Sequence, residues 1–337
     1  MRAIRLHTFG PAENLVHETV DDPAPGPGEV RIAVAAAGVH LLDTALRAGQ
    51  EGGPAPLPAL PTVPGREVAG TVDAVGAGTD PNWLGRPVVA HLGMVPGGYA
   101  ERAVTAADRL HAIPDGLDPA QAVAMIGTGR TTMGILLCAG LTADDLAIVP
   151  AAAGGIGSLL VQYARNVGAT VVGLAGGPTK VAHVRALGAD LAVDYTVAEW
   201  PHHVREFLAE RGAAGATVVF DSVGGAPGRA AVDLLARGGR HLVFGWSSGG
   251  PLTGGPLEFT DAERAARGIT SESVLGPTML ARVGGIDPLR TLETAALAEA
   301  AAGRLVPTVQ RFPLAEAAAA HRALETRGTM GKVVLVP

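Results

Sequence analysis

Three glycines near the middle of the chain have the spacing of a nucleotide-binding turn. Gly154, Gly155 and Gly157 lie within "VPAAAGGIGSLLVQYA", which covers residues 149–164. The fingerprint G-x-G-x-x-G maps onto this stretch with Ala152 in the place of the first glycine. Small residues let a pyrophosphate approach the backbone, and amide groups at a helix start bind it. The spacing therefore predicts a dinucleotide site, with a tight turn that binds no ligand as the alternative.

The residues on either side of the glycines predict the elements that hold the turn. "LAIVPA" at 146–151 is a short apolar run typical of a strand buried on both faces. After Gly157, "SLLVQYARNVGA" has apolar residues at helical spacing, and Gly168 is placed to end the helix. A second apolar run, "TVVGLA", follows at 170–175. Strand, turn, helix and strand form a βαβ unit.

A membrane-spanning helix is the competing interpretation of this stretch. Residues 146–164 include no charged side chain. However, Pro150 and the glycine cluster would interrupt the centre of such a helix. The flanking segments also alternate between strand and helix patterns. We therefore expect no membrane partner.

The same alternation continues downstream and predicts the fold class. Further apolar runs that end in polar or glycine-rich turns lie at 191–195, 216–225, 239–250 and 268–276. Helical patterns such as "GPTKVAHVRALGA" and "GRAAVDLLARGG" separate them. Alternating strands and helices indicate an α/β fold with a doubly wound parallel sheet, whose ligands bind at the carboxyl ends of the strands.

The end of the second strand of this unit bears on the choice of dinucleotide. NAD-binding proteins place an acid there to accept from the ribose 2′-hydroxyl. Here the residues are "GLAGGPTK", which offer small residues and then Lys180. Room and a cation suit a 2′-phosphate, which favours NADP(H). The alternative is that Lys180 is an ordinary solvated helix residue.

The N-terminal part has a different pattern. "EVRIAVAAAGV", "EVAGTVDAVGAG" and "GRPVVAHL" are strand-like runs separated by Gly and Pro. We predict a β-rich domain over 1–122, completed by 282–337, and a nucleotide-binding domain over 123–281. The tail is predicted to form a helix and a last strand that pairs with the first domain's sheet.

Composition excludes several classes of function. The net charge is −6 with both signs scattered, so no basic surface indicates a nucleic-acid partner. Cys138 is the single cysteine, which rules out an intramolecular disulfide and a multi-cysteine metal site. The start "MRAIRLHTFG" has no signal-peptide pattern, so we expect a cytoplasmic protein.

Motifs along the whole chain resemble those of the medium-chain dehydrogenase/reductase superfamily, in its zinc-independent quinone oxidoreductase branch. They are "GREVAGTVDAVG", "GGYAERAV", "AAAGGIGSLLVQYAR", "DSVGG" and "AHRALETRGTMGKVVLV". The resemblance implies a GroES-like catalytic domain, a Rossmann domain and an active site in the cleft between them. It also implies NADPH as the reductant and a homodimer joined through the Rossmann edge strand.

Zinc-dependent members of this superfamily carry a cysteine ligand in the segment that corresponds to "GVHLLD". They also carry a histidine ligand in a "GHE" motif. This chain has His40 in the first segment and "GRE" at 65–67 in the second. A catalytic zinc site needs three protein ligands. We therefore expect no metal.

The resemblance also implies which residues contact the cofactor. The glycine turn lies under the pyrophosphate, Lys180 and Tyr195 flank the 2′-phosphate, and a loop near the last strands reaches the nicotinamide. In chain order the implied contacts are Thr131, Gly154, Gly155, Ile156, Gly157, Lys180, Tyr195, Gly245, Trp246 and Ser247.

The catalytic candidates are His40, Asp43 and Trp246. Relatives often carry an asparagine near the place of His40 and a tyrosine a few residues on, where this chain has Ala45 and Leu46. His40 is a candidate proton donor, and a histidine hydrogen-bonded within the sheet is the alternative. Asp43 is expected to orient neighbours or cap the helix "LDTALRAG". Trp246 either narrows the substrate pocket or packs in the core.

These features predict an NADPH-dependent oxidoreductase that transfers hydride to a quinone or another activated alkene or carbonyl without zinc. Two alternatives stay open. One is an NADPH-binding protein of the same fold with little quinone reductase activity. The other is an enoyl reductase-like step in a biosynthetic pathway.

Overall fold

The structure is a computed structural model that describes residues 1–52, 56–250 and 254–337. Its strands in these residues are, in chain order, β1 (Arg2–Leu6), β2 (Leu15–Thr19), β3 (Glu29–Val39), β4 (Glu67–Val75), β5 (Pro87–His91), β6 (Arg102–Ala106), β7 (His111–Ala112), β8 (Leu146–Val149), β9 (Thr170–Ala175), β10 (Leu191–Asp194), β11 (Ala216–Asp221), β12 (Leu235–Val243), β13 (Thr270–Ser273), β14 (Val309–Pro313) and β15 (Lys332–Val336).

The α-helices of the same residues are α1 (Leu41–Ala48), α2 (Pro119–Ala124), α3 (Arg130–Ala139), α4 (Gly155–Asn166), α5 (Pro178–Ala186), α6 (Trp200–Glu210), α7 (Gly225–Val232), α8 (Asp261–Arg267), α9 (Pro277–Val283), α10 (Pro288–Ala301) and α11 (Ala317–Glu325). A π-helical turn, Met125–Gly129, separates α2 from α3.

The chain divides into two compact units. The first unit contains Met1–Gly129, Ala296–Ala301 and Pro307–Pro337, and the second contains Arg130–Ala295 and Ala302–Val306. These bounds differ from the predicted ones, because 123–129 falls in the first unit and 282–295 in the second. Part of the reason is that Met279 and Leu292 pack in the same core cluster as Val149, within the second unit.

The first unit is built on a mostly antiparallel sheet with the order β14-β15-β3-β4-β5-β7, in which β6 also pairs with β3. Strand β3 alternates along its first part, with Val30, Ile32 and Val34 buried in the core. The last strand, β15, pairs antiparallel with β3 and parallel with β14. This confirms that the terminal strand joins the sheet of the first domain.

The second unit is a parallel six-stranded sheet with the order β10-β9-β8-β11-β12-β13. The order reverses at β8, since β9 lies on one side of it and β11 on the other. Ligands of such sheets bind at this switch point, outside the carboxyl ends of the strands. The predicted doubly wound α/β fold is confirmed, and β13 is the sixth strand.

One local prediction was wrong in part. "GRAAVDLLARGG" at 228–239 was expected to be helical, but α7 ends at Val232 and β12 begins at Leu235. Leu235 pairs with Ala216 of β11, and a register irregularity follows between Ala216 and Val218. Strand pairing with β11 overrides the helical spacing of these residues.

One helical stretch, Pro119–Ala139, is long and apolar enough to cross a membrane by length and composition. Of its most apolar window, 78% is buried inside the protein. A core helix passes the same test. The uncharged stretch at 146–164 instead forms β8, the glycine turn and most of α4.

Candidate active site

A buried ionic cluster lies where three strands of the first unit meet. Nε2 of His40 is 2.6 Å from Oε1 of Glu67, and Nζ of Lys332 is 2.8 Å from Oε2 of Glu67. Nζ of Lys332 is also 2.8 Å from Nε2 of His40. Neither Glu67 oxygen accepts a well-aligned hydrogen bond from the described residues, so the attraction is mainly ionic.

The sheet register brings the three residues together. His40 directly follows β3, while Glu67 and Lys332 are the first residues of β4 and β15. Val39 pairs with Val333, and Ala37 pairs with Val68. The end of β3 therefore lies between the starts of its two neighbours.

The charges of the cluster compensate one another. The Glu67 side chain is fully buried and that of Lys332 is 4% exposed, whereas His40 is 27% exposed. Burial raises the pKa of Glu67, but His40, Lys332 and His91 outweigh it and hold that pKa well below its usual range. Glu67 is a permanent buried anion, and His40 is the member of the cluster that solvent or a substrate reaches.

Two glycines pack directly on this carboxylate. A Cβ at Gly38 would lie 2.3 Å from Oε2 of Glu67, and one at Gly127 would lie 1.5 Å from Oε1. Gly127 belongs to the π-helical turn. Backbone atoms of β3 and of this turn thus enclose the anion. There is no room for a side chain at Gly38 or at Gly127.

Asp43 is the centre of a second buried network. Its Oδ2 accepts from the His40 backbone amide at 2.8 Å and from the Tyr99 hydroxyl at 3.1 Å. Its Oδ1 accepts from Nη2 of Arg66 at 3.4 Å. The amide contact places Asp43 as a cap at the start of α1, as expected from the sequence. Asp43 also orients the segment that carries His40.

Tyr99 links Asp43 to His321. Its hydroxyl lies 3.2 Å from Nε2 of His321, and both side chains are fully buried. Burial and the negative charge of Asp43 raise the pKa of Tyr99 well above its usual range. Burial lowers the pKa of His321 to about 4. Tyr99 is therefore a neutral donor to Asp43, and His321 is a neutral imidazole near pH 7.

The small residues of the glycine turn in the second unit have different structural roles. Ala151 has φ +50, so the left-handed residue is one place earlier than the Ala152 of the fingerprint. Gly154 has φ −79 and ψ 174, and a Cβ there would approach only the Ala151 carbonyl, at 3.2 Å. A Cβ at Gly157 would lie 2.4 Å from that oxygen and 2.8 Å from Cα of Ala152. Gly157 is required for packing, whereas a Cβ at Gly154 would meet one atom only, at slightly less than an ordinary van der Waals distance.

The start of α4 suits an anion. Gly154 is its N-cap and no side chain caps the helix. Amide groups of the first turn have no partner within a helix, and the helix dipole favours negative charge there. The predicted contacts Gly155 and Ile156 are the first two residues of α4 and are partly exposed. A pyrophosphate fits this turn.

The ends of β9 and β10 lie side by side. Ala175 pairs with Asp194, and the Tyr195 amide donates to the Ala175 carbonyl at 3.1 Å. Lys180 is in the first turn of α5, which begins at Pro178, three residues after the end of β9 at Ala175. Asp194, at the end of β10, was not among the site residues predicted from the sequence. Hydrogen bonds from Thr196 and from the Gly177 amide lower its pKa, so this acid is engaged in the turn.

The remaining predicted contacts of the second unit lie at β12 and α3. Gly245 follows β12, and a Cβ there would lie 2.8 Å from the Ser222 carbonyl. The Ser247 amide and hydroxyl donate to that same carbonyl at 3.2 and 3.1 Å. Trp246 is half-buried between them, and Thr131 is half-buried in the first turn of α3.

Two family models match the chain. "Alcohol dehydrogenase GroES-like domain" covers residues 26–115, and "Zinc-binding dehydrogenase" covers residues 155–279. Among curated proteins, a quinone oxidoreductase of Pseudomonas aeruginosa is 32% identical, over 100% of this chain and 99% of its own length. The chain belongs to the quinone oxidoreductase branch of the medium-chain dehydrogenase/reductase superfamily.

Two other members of this superfamily bear on the chemistry. A 2-haloacrylate reductase of a Burkholderia species is 31% identical over 98% of both chains. The Escherichia coli quinone oxidoreductase, solved as a complex with NADPH, is 26% identical with a TM-score of 0.83 over the full length of both chains. This protein is an oxidoreductase of the same superfamily, with the Rossmann and GroES-like architecture inferred from its motifs.

The structure distributes the predicted catalytic residues between the units. His40 and Asp43 are in the first unit, and Trp246 is in the second with all of the predicted cofactor contacts. Sequence reasoning missed Glu67 as a site residue, and for Lys332 it left two interpretations open: a residue that borders the cofactor or a simple strand start. The signal for Glu67 was an acid in "GRE" at the start of a strand whose next three residues, "VAG", are small or apolar. Nothing local connects it to Lys332.

The buried histidine of this network predicts a pH dependence of stability. The pKa of His321 is depressed in the folded state, so the unfolded chain binds the proton more tightly. Stability should fall as the pH decreases from about 6.5 to about 4, by about 3 kcal/mol in total. Replacing His321 with Gln should flatten that slope in urea unfolding measured at a series of pH values. His202→Gln, at an exposed position, serves as the control, and equal slopes for both variants would contradict the assignment.

Proposed function

We propose that this protein transfers hydride from NADPH to a quinone or another activated alkene or carbonyl, without zinc. The main support is the β8 to α4 turn at the switch point of the sheet, in a chain 32% identical over its whole length to a quinone oxidoreductase. The NADPH complex of the Escherichia coli relative supports the choice of cofactor.

The residues of the second unit fit a dinucleotide. The side-chain-free backbone at Gly154 and the uncapped start of α4 would hold the pyrophosphate. Lys180 and Tyr195 would flank a 2′-phosphate at the ends of β9 and β10, and Gly245, Trp246 and Ser247 would contact the nicotinamide end. Thr131 is a further proposed contact. NADPH, when bound, supplies the hydride that adds to the electron-poor carbon of the acceptor.

In the first unit, His40 is the proposed proton donor to the acceptor. Its Nε2 faces Glu67 and Lys332 inside the protein, while the side chain is 27% exposed and can be reached by a substrate. Glu67 and Lys332 fix the position of the ring from its buried side. Asp43 acts as a positioning residue, because it binds the His40 amide.

Zinc independence is proposed from the residues that replace metal ligands. No group of three or more histidine, cysteine or acidic side chains suited to a metal occurs in the described part of the chain. Arg66 stands in the "GRE" motif where zinc-dependent members carry histidine. A guanidinium is a donor without a lone pair for a metal.

We also propose a cytoplasmic homodimer. Among the described residues β13 is the edge of the parallel sheet and pairs only with β12, so one row of its backbone groups faces away from the sheet and could pair with a second copy. Two copies that pair through β13 would extend the sheet across the dimer.

The turn geometry predicts opposite effects for two glycines. Gly154→Val should fold normally, because its backbone is extended, but should lose NADPH binding because the side chain fills the phosphate position. Gly157→Val should lower the melting temperature even without cofactor, since its Cβ meets backbone atoms. The wild-type protein should gain about 2.7 kcal/mol at a hundredfold excess of NADPH over its Kd. Normal NADPH binding by Gly154→Val in a thermal-shift titration would argue against a cofactor turn.

Lys180 predicts the preference between the two cofactors. Lys180→Ala should weaken NADPH by about 10- to 150-fold, the loss of one charged hydrogen bond, and should leave NADH nearly unchanged. Arg205→Ala, an exposed cation on α6, should change neither affinity. Fluorescence titration measures both cofactors, and equal weakening of the two would remove the support for NADP(H).

The function itself is tested by NADPH oxidation with benzoquinone, naphthoquinone, an alkenal and an enoyl thioester. We expect turnover with at least one acceptor that survives treatment with a chelator. Tight NADPH binding without turnover of any acceptor would instead favour a nucleotide-binding protein. Loss of activity on chelation, restored by zinc, would overturn the proposal that no metal takes part.

A further inference from the structure

The first unit contains a cavity to which the proposed reaction assigns no role. The space within it, with the open mouth included, is about 580 Å³. Its wall is mainly leucine and proline, including Leu46, Leu57 and Pro96. Three charged side chains interrupt this apolar wall: Asp43, Arg47 and Arg66.

Arg66 is a buried cation whose hydrogen bonds are poorly satisfied. The residue is 9% exposed. Its Nη2 lies 3.4 Å from Oδ1 of Asp43, its Nη1 lies 3.9 Å from the Met94 sulfur, and its Nε has no partner among the described residues. Good N–H···O bonds are 2.7–3.2 Å long, and a buried donor without an acceptor destabilises the protein. The guanidinium therefore retains donors for another acceptor.

The neighbouring acid, Asp43, supplies only one long contact to Arg66. Asp43 already receives the His40 amide and the Tyr99 hydroxyl on its other oxygen, at shorter distances than the Arg66 contact. Arg47, like Arg66, has donor atoms without a hydrogen-bond partner. Its Nη2 is paired with Glu325, while its Nε and Nη1 have no partner among the described residues. The two guanidinium groups of the wall thus have more donors than Asp43 satisfies, and on Arg66 the weakly bonded Nη1 and Nη2 are the donors that a ligand could reach.

We propose that this cavity binds the carboxylate of the substrate at Arg66, with the apolar part of the substrate along the leucine and proline wall. A carboxylate is acceptor-only and matches the guanidinium fork with two parallel bonds. The neutral carbonyl of a quinone would leave the buried positive charge with less compensation. Asp43 connects this position to the His40 amide, so the carboxylate would lie near the proposed proton donor.

The inference rests on the proposed function and narrows its substrate to α,β-unsaturated carboxylic acids. The hydride of NADPH adds to the β-carbon, and the electron pair of the double bond moves toward the α-carbon and the carboxylate. A proton then adds to the α-carbon, so NADPH and one proton give NADP⁺ and the saturated acid. Arg66 would stabilise the negative charge that develops on the carboxylate oxygens.

The test compares an acid with its neutral ester. The full-length protein is assayed with NADPH and either 2-chloroacrylate or methyl 2-chloroacrylate. Arg66→Gln should lower kcat/KM for the acid by about 10- to 150-fold, the loss of a charged hydrogen bond, and should change the ester far less. Arg66→Lys, which keeps the charge and loses the fork, should give a smaller loss for the acid. Arg86→Gln, at an exposed arginine of the same unit, should change neither substrate.

A binding measurement separates this inference from the proposed function. Calorimetry with the saturated acid 2-chloropropionate needs no turnover, and the wild-type protein should bind it while Arg66→Gln does not. If the wild type reduces the ester or quinones but neither reduces nor binds the acids, the carboxylate site is wrong and the oxidoreductase proposal stands. An equal loss for acid and ester also overturns the site. If no acceptor is reduced but 2-chloropropionate binds through Arg66, the proposed function fails and the carboxylate site stands.

Discussion

The buried carboxylate of Glu67 constrains the assembly of the first unit more than any other group. An ionised carboxylate without partners in such a place is unfavourable by several kcal/mol, so the fold must bring cations to it. Lys332 brings a cation from the start of β15, and the His40 ring at the end of β3 lies 2.6 Å from the other oxygen. Gly38 and Gly127 let backbone pack against the same anion. The return of the terminal strand into the sheet is therefore electrostatically necessary as well as a matter of hydrogen bonding.

Asp43 links this cluster to the cavity beside it. One of its oxygens caps α1 and receives Tyr99, while the other forms only the long contact with Arg66. Tyr99 is held in turn by the neutral His321, so the orientation of Asp43 is determined from inside the core. Asp43, oriented in this way, positions the segment that carries His40. It leaves the guanidinium of Arg66 with only one long hydrogen bond. The two networks share the short stretch from His40 to Asp43.

The amino-acid sequence by itself determined the elements whose signals are local. The apolar run of β8, the glycines after it and the helical spacing of α4 lie within about twenty residues, so they predict a βαβ unit. The alternation of strands and helices predicted a doubly wound sheet, and its motifs identified the superfamily. The role of Asp43 as a cap also followed from the sequence, because a capping residue acts within one turn of the helix.

Only the tertiary structure decided which distant side chains meet. In the sequence, nothing connects Glu67 with Lys332. The register of β3 with β4 and β15 makes them partners. The left-handed turn residue is Ala151, although the fingerprint points to Ala152, and "LARGG" forms a strand because β11 pairs with it. The unsatisfied guanidinium of Arg66 depends on what surrounds it in space. Charge compensation and burial are sums over neighbours from the whole fold, so no local pattern in the chain encodes them.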